Sequence, residues 1–217
     1  MSVHSMEASA LEYSPADVQK RRRGRLWMIV VWLICAAPVV ASYLTFYVFR
    51  PISRHSYGEL IEPQRELPDL VGTDLKGSSQ NLQTLKGQWL LVSVASGACD
   101  KPCQDHLYLQ RQLRESLGKD KDRVKWVWLV DDEAQVPADL KQALTKATVL
   151  RVSANGLQKW LYSRPGHELQ EHLYLVDPLG HWMMRFPPEL NIRTAAKAKS
   201  DLDRVLRASE SWNHAGQ

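Results

Sequence analysis

The most apolar stretch of the chain covers residues 26–49, which include no charged side chain. At roughly 1.5 Å per residue, a helix of this length crosses a hydrocarbon core of about 30 Å. The stretch is too long for the apolar part of a cleaved signal peptide, and residues 41–43 (Ala-Ser-Tyr) make a poor cleavage site. We therefore expect an uncleaved transmembrane anchor over residues 26–49.

Beyond the anchor, short apolar runs rich in β-branched and aromatic residues alternate with amphipathic segments. Strands are predicted over residues 89–92, 124–130, 148–152, 173–176 and 182–186. Helices are predicted over residues 106–117, 138–147, 157–162 and 195–208. The last two strands are joined by the turn-like sequence Asp-Pro-Leu-Gly at 177–180. This order predicts an α/β fold in which helices cover both faces of a mixed sheet.

The same pattern divides the chain into segments. The 217 residues, 44% of them apolar and 24% charged, have the composition of a globular protein with room for one domain and some extra segments. The predicted segments are a tail (1–25), the anchor (26–49), a polar linker (50–66), an outer domain (67–209) and a second tail (210–217).

Basic residues are concentrated on the N-terminal side of the anchor, at Lys20, Arg21, Arg22, Arg23 and Arg25. The positive-inside rule therefore predicts a cytoplasmic N-terminus and an outer domain on the periplasmic side of a bacterial inner membrane. The formal net charge of the whole chain is +4. Because so small a surplus gives no reason to expect nucleic-acid binding, the basic run is interpreted as a topology signal.

Two cysteines, Cys99 and Cys103, lie where a predicted strand gives way to a predicted helix. Backbone N–H groups at a helix start carry partial positive charge, which stabilises a thiolate. The four-residue spacing places both sulfurs on one side of the first turn, with Cα atoms expected closer than about 7 Å. Such a pair can close a disulfide or bind a soft metal ion such as Cu(I). Two unrelated buried cysteines are the alternative.

Several segments resemble the Sco/SenC family of membrane-anchored, thioredoxin-like proteins. They are Leu-Pro-Asp-Leu at 67–70, the run 81–92, Cys99-x-x-x-Cys103, Val-Asp-Asp-Glu-Ala-Gln-Val-Pro at 130–137 and Tyr-Leu-Val-Asp-Pro-Leu-Gly at 174–180. The resemblance covers roughly residues 67–207 in the family's order. It implies a thioredoxin-like fold and a role in cytochrome c oxidase assembly, through copper delivery or thiol reduction.

The resemblance also implies a copper site, with one departure in this chain. The family's third ligand is a histidine nine residues before the hairpin proline, and that position is Leu169 here. The compensating candidate is His167, which gives a predicted ligand set of Cys99, Cys103 and His167. His172 and His106 are weaker candidates. We expect the reduced pair to bind Cu(I) more readily than Cu(II), which favours additional nitrogen ligands.

Three functions stay open at this point. The first is a metallochaperone that binds Cu(I) through the two thiolates. The second is a thiol–disulfide oxidoreductase, in which Cys99 attacks from the loop and Cys103 resolves. The third is an assembly scaffold with a static disulfide and no metal. The expected partners are a respiratory oxidase subunit or other assembly factors, with the lipid bilayer contacting residues 26–49.

The predicted topology can be tested with reporter fusions after Gln217. A reporter that works only in the periplasm is expected to be active in cells, because the basic flank holds the N-terminus in the cytoplasm. The matched fusion carries a reporter that works only in the cytoplasm and is expected to be inactive. The opposite pair of results would overturn the predicted orientation.

Overall fold

The structure is a computed structural model that describes residues 15–47 and 56–209, with side chains described for 23–44 and 56–209. It divides into two compact units, Met1–Arg54 and His55–Gln217, which are described separately. Residues 1–14, 48–55 and 210–217 lie outside the described residues, and they include part of the first expected tail, the end of the expected anchor, the start of the expected linker and the whole second tail.

The described residues of the first unit form one helix, α1 (Pro15–Tyr47). Within it, Arg23–Leu44 has a mean hydropathy of 2.1 and is long and apolar enough to cross a membrane. Its large apolar side chains are exposed, including Trp27 and Trp32. Burying such a surface in hydrocarbon is favourable, whereas leaving it in water is costly. The N-terminal helix thus has the length and composition that the sequence predicts for an anchor.

The second unit holds all the strands of the described residues and four α-helices. The strands are β1 (Glu59–Glu66), β2 (Val71–Asp74), β3 (Ser79–Asn81), β4 (Trp89–Ala95), β5 (Val124–Val130), β6 (Thr148–Arg151), β7 (Leu173–Val176) and β8 (His181–Arg185). The helices are α2 (Lys101–Ser116), α3 (Ala138–Ala143), α4 (Ala154–Trp160) and α5 (Ala195–Ala208). Short 3-10 turns include Leu82–Leu85 and Leu169–Glu171.

The strands form one mixed sheet in the order β1-β8-β7-β4-β5-β6-β2-β3. β4 and β5 are parallel, as are β5 and β6, because α2 and α3 return the chain to the same end of the sheet. β7 and β8 are antiparallel and follow one another through a short turn. The mixed α/β sheet expected from the sequence is therefore confirmed.

Helices cover both faces of the sheet, as the side chains of β4 show. Leu90, Val92 and Val94 face a core cluster that includes residues of α4. Trp89 and Leu91 face a second cluster, which includes residues of α2 and α5. The alternation follows from strand geometry, in which successive side chains point to opposite faces. Since both faces are buried, the strand is apolar apart from Ser93.

The linker predicted over residues 50–66 is wrong for residues 59–66. These residues form β1, an edge strand paired with β8, and Ile61 is its one buried side chain. β2 and β3, at the opposite edge, are also missing from the sequence prediction. Edge strands are often short and polar, so they lack the apolar run or alternation that marks a strand in sequence.

A buried polar contact joins α2 to the sheet. Gln110 on α2 is fully buried. Its Nε2 donates to the backbone carbonyl oxygens of Leu91 and Val127, at 2.7 and 2.9 Å. Its Oε1 accepts from Ser93 Oγ at 3.0 Å and from Trp126 Nε1 at 2.7 Å. Because every polar atom of this amide is paired, the contact fixes α2 against β4 and β5.

Replacing Gln110 with methionine tests how much this contact stabilises the fold. Gln110→Met keeps the length of the side chain but leaves buried polar groups unpaired, so we expect the free energy of unfolding to fall by about 1–3 kcal/mol. The measurement is urea unfolding of the full chain in detergent. Gln112→Met, at an exposed position of the same helix, is the control and is expected to change little. Equal losses in the two variants would contradict the prediction.

Candidate functional site

The candidate site lies where β4 ends and α2 begins. Cys99 in the connecting loop and Cys103 in the first turn of α2 form a disulfide, with Cα atoms 5.1 Å apart. The prediction that the two cysteines lie within disulfide reach at the start of a helix is therefore confirmed. The helix start is capped by Asp100, whose side chain accepts a hydrogen bond from the backbone N–H of Cys103 at 3.1 Å.

The two cysteines differ in exposure. Cys99 is only 2% exposed, whereas Cys103 is half-buried. Cys99 belongs to a group of packed side chains, here called the cysteine cluster, and Cys103 packs against it. The cluster consists of Ala95, Cys99, Leu107, Trp126, Trp128, Val130, Val136, Leu144 and Val149. The sequence places Cys99 further out on the loop, and the structure corrects this.

The loop before Cys99 is held by Asp132, which follows β5. The carboxylate of Asp132 accepts hydrogen bonds from Ser96 Oγ at 2.5 Å and from the backbone N–H groups of Gly97 at 2.8 Å and Ala134 at 3.1 Å. Arg151 donates to the carbonyl oxygens of Asp132 and Ala134. Residues that follow β5, together with Arg151 of β6, thus position the loop. The sequence resemblance includes the segment around Asp132 but gives no sign of this role.

Gly97 allows the two loops to approach each other closely. A Cβ atom at this position would overlap the carbonyl oxygen of Ala134. Two residues later, Cys99 has a φ of 39°, in the left-handed region that non-glycine residues rarely adopt. Its backbone N–H donates to the carbonyl oxygen of Ser96 at 3.1 Å. The backbone leading into the disulfide is therefore tightly constrained.

An open groove of about 1200 Å³ runs past the disulfide. This cysteine groove is bounded by the first turns of α2, the turn Leu169–Glu171 and the loop 188–193. Both cysteines line it. Tyr108 and Ile192, two exposed apolar side chains, also line it. The disulfide is consequently placed beside a surface that a partner molecule can reach.

The histidines that the sequence singles out have other contacts. Nδ1 of His167 lies 2.6 Å from Oε2 of Glu171. His172 is buried, and its Nδ1 donates to the carbonyl oxygen of Phe186 at 2.9 Å. Its Nε2 accepts from the backbone N–H of Arg164 at 3.2 Å. Because both ring nitrogens of His172 are used within the fold, this side chain serves the core, as buried polar groups usually do.

His106 lines the cysteine groove one turn beyond Cys103. Burial, assisted by the neighbouring charge of His172, lowers the pKa of His106 to about 4. The imidazole is therefore neutral at physiological pH. Its Nε2 is enclosed and has no hydrogen-bond partner among the described residues.

The residues present do not form a site with three metal ligands. Within residues 23–44 and 56–209, no three side chains of His, Cys, Asp or Glu are grouped closely enough to hold a metal ion. Leu169, at the position of the expected histidine, is partly buried and packs against the core cluster on the α4 face. The metal role predicted for His167 stays a prediction, and it requires a rearrangement that brings the imidazole to the cysteines.

Comparison with known proteins agrees with the fold. A family model described as the transmembrane-like, thioredoxin-like, C-terminal domain matches residues 89–209. Copper-bound Sco1 from yeast has a TM-score of 0.52 and 17% identity, covering 71% of this chain and 96% of that one. A SCO1/SenC family lipoprotein from Bacillus anthracis has a TM-score of 0.50 and 16% identity, with coverages of 68% and 98%. The comparison with curated proteins found no match.

Apo Sco1 from Thermus thermophilus is similar to the same degree, with a TM-score of 0.50, 16% identity and coverages of 70% and 95%. At such identities the likeness establishes a shared fold. The thioredoxin-like fold predicted from the sequence is thereby confirmed, and the Sco structures share that fold.

The loop contact at Asp132 predicts a pH dependence of stability. Burial raises the pKa of Asp132, but the hydrogen bonds it accepts and the charge of Arg151 outweigh this, so the pKa lies below its ordinary value of 3.8. A carboxyl group whose pKa is lowered on folding stabilises fully above the ordinary value, and its contribution is lost as the pH falls through the lowered value.

We therefore expect Asp132→Asn to unfold more easily than the wild type near neutral pH. The difference in free energy of unfolding is expected to shrink once the pH falls below 3.8, and urea unfolding at several pH values measures it. Glu133→Gln removes an exposed charge from the same loop and is the control. A difference that persists unchanged in acid would count against the role assigned to the ionised carboxylate.

Proposed function

Because the chain belongs to the transmembrane-like, thioredoxin-like C-terminal domain family, we propose that it exchanges disulfides with a protein partner through Cys99 and Cys103. One observation carries this proposal: the two sulfurs are bonded at the start of α2 and line an open groove. A helix start favours the thiolate form that exchange requires. A disulfide that only stabilised the fold would have no need of this position.

The exchange consumes the two thiols of the reduced pair. A thiolate attacks one sulfur of a partner disulfide, the partner S–S bond breaks, and a mixed disulfide forms while one partner thiolate leaves. The second cysteine then attacks the mixed disulfide, which closes the Cys99–Cys103 bond and releases the other partner thiolate. Two electrons pass to the partner, and its two sulfurs take up protons as thiols.

The partner and compartment follow from the membrane segment and the Sco/SenC resemblance. The apolar part of α1 supports a membrane anchor, and the basic flank supports a periplasmic location for the second unit. Disulfides form readily in that compartment, so proteins with functional thiols need a reductant there. The resemblance makes a cysteine-bearing subunit of a respiratory oxidase, or another assembly factor, the proposed partner.

Delivery of Cu(I) is the second candidate, favoured by the pairing of two sulfurs at one helical turn. Once reduced, two thiolates suit Cu(I), which accepts a low coordination number. Copper-bound yeast Sco1 shares the fold. Leu169 offers no lone pair at the position of the family's histidine. The cysteine pair therefore suits Cu(I) as a cargo better than it suits Cu(II).

Oxidised glutathione tests the exchange. The full chain, purified in detergent with Cys35→Ala, is reduced, freed of reductant and mixed with oxidised glutathione. We expect the Cys99–Cys103 disulfide to form, because the second cysteine lies within reach of the mixed disulfide. Alkylation of the remaining thiols followed by mass spectrometry measures it.

The matched control for this exchange lacks the second cysteine. The further variant Cys99→Ala is expected to stop at the mixed disulfide with glutathione. If the reduced Cys99 and Cys103 never form their disulfide, the exchange function is excluded and the scaffold function takes its place.

Copper binding is tested by competition with a weak Cu(I) chelator. The reduced full chain is expected to retain Cu(I), whereas prior oxidation or Cys99→Ala is expected to abolish retention, since one thiolate cannot replace two. His167→Ala is expected to change little, because His167 pairs with Glu171 and is not grouped with the two cysteines among the described residues. Weaker retention by His167→Ala would show that its imidazole joins the site, and no retention by the wild type would exclude the copper function.

A further inference from the structure

We propose that Cys103 is the cysteine that bonds to the partner and that Cys99 is the resolving cysteine. This inference rests on the proposed exchange function and assigns the roles in the order opposite to that expected from the sequence. It is carried by three features of the site: the exposure of the two cysteines, the contacts that hold the loop before Cys99, and the position of each cysteine relative to the start of α2.

Exposure separates the two cysteines first. An attacking thiolate must meet the partner disulfide directly, so it has to be accessible. Cys99 is 2% exposed and packs among Trp126, Trp128 and Leu107 in the cysteine cluster. Both cysteines line the cysteine groove, but Cys103 is half-buried at the edge of that cluster and is the more exposed of the two. A partner entering the groove therefore meets Cys103.

The loop contacts keep Cys99 in this position. Asp132 binds Ser96 and Gly97, the residues that would have to move for Cys99 to turn outward. The backbone N–H of Cys99 donates to Ser96, and its carbonyl oxygen accepts from Nε2 of Gln104 at 3.0 Å. Exposing the Cys99 sulfur would require several of these bonds to break together. Cys103 needs no such movement, since it already lies on the accessible first turn of the helix.

The start of α2 favours the same assignment. Cys103 lies within the first turn of α2, at the positive end of the helix dipole, and the carboxylate of Asp100, which accepts from its backbone N–H, offsets part of that effect. Cys99 precedes the capping residue Asp100 and is surrounded by apolar side chains, which disfavour a thiolate. The cysteine that is better exposed is thus also the one whose surroundings oppose ionisation less.

The exchange then runs in a defined order. The thiolate of Cys103 attacks one sulfur of a protein disulfide, whose S–S bond breaks, and the leaving partner sulfur takes a proton from solvent. Cys99 then loses its proton and attacks the Cys103 sulfur from within the cluster, closing the intramolecular disulfide. The second partner sulfur leaves and is protonated, so two electrons have passed from the pair to the partner. Cys99 completes its step without leaving the cluster.

Single-cysteine variants test the assignment. In the full chain with Cys35→Ala, purified in detergent, Cys99→Ala leaves Cys103, and Cys103→Ala leaves Cys99. Each variant is reduced and mixed with dithiodipyridine, and the release of thiopyridone gives the rate. We expect the chain that retains Cys103 to react on the order of tenfold faster or more, because thiol reactivity follows exposure and ionisation. As the control, the two variants are expected to react at similar rates in concentrated urea. Faster reaction of Cys99 than of Cys103 under native conditions would overturn the proposal.

A second measurement avoids substitutions at the cluster, since replacing a buried side chain can destabilise a fold. The reduced chain with both cysteines is treated with limiting iodoacetamide, and peptide mapping locates the first alkylated sulfur. Alkylation at Cys103 is expected, and alkylation mainly at Cys99 would overturn the assignment. Failure of the exchange function would give a different result: the pair would not close on oxidised glutathione, whichever sulfur is alkylated first.

Discussion

The geometry of the cysteine site depends on the hydrogen bonds that the carboxylate of Asp132 accepts. It lies just beyond the end of β5 and binds the loop that leaves β4, so the two central strands fix the path of the backbone into Cys99. Since β4 and β5 are parallel, their carboxyl ends lie side by side, and a short polar side chain from one loop can reach the other. The rigid sheet thereby sets the burial of Cys99 and leaves Cys103 on the helix.

The sequence predicts those elements in which the pattern of apolar residues reflects how the element is buried. β5 and β7 have the predicted bounds because they are apolar along their length and buried on both faces. α5 follows from apolar residues at helical spacing, such as Leu202 and Leu206. The edge strands are not predicted because most of their side chains are exposed. β1 buries only Ile61, so its residues have the composition of a linker.

At the site, spacing predicts that the cysteines pair, but it does not reveal which sulfur is enclosed. The enclosure of Cys99 depends on Asp132, which is distant in the chain, and on Gly97, where the other loop comes too close for a side chain. The histidines illustrate the same limit. His172 stands beside an apolar strand in the sequence, and only the fold shows that both of its ring nitrogens are paired.

The two candidate functions draw on the same two sulfurs, and this makes their states mutually exclusive. A disulfide has no thiolate to offer a metal, so the pair can bind Cu(I) only after reduction. Conversely, a pair that holds Cu(I) has no free thiolate for exchange. With Leu169 at the position of the family's histidine and no third ligand grouped with the cysteines among the described residues, metal affinity would depend on the thiolates alone. The redox state of Cys99 and Cys103 would then decide directly whether the site carries metal.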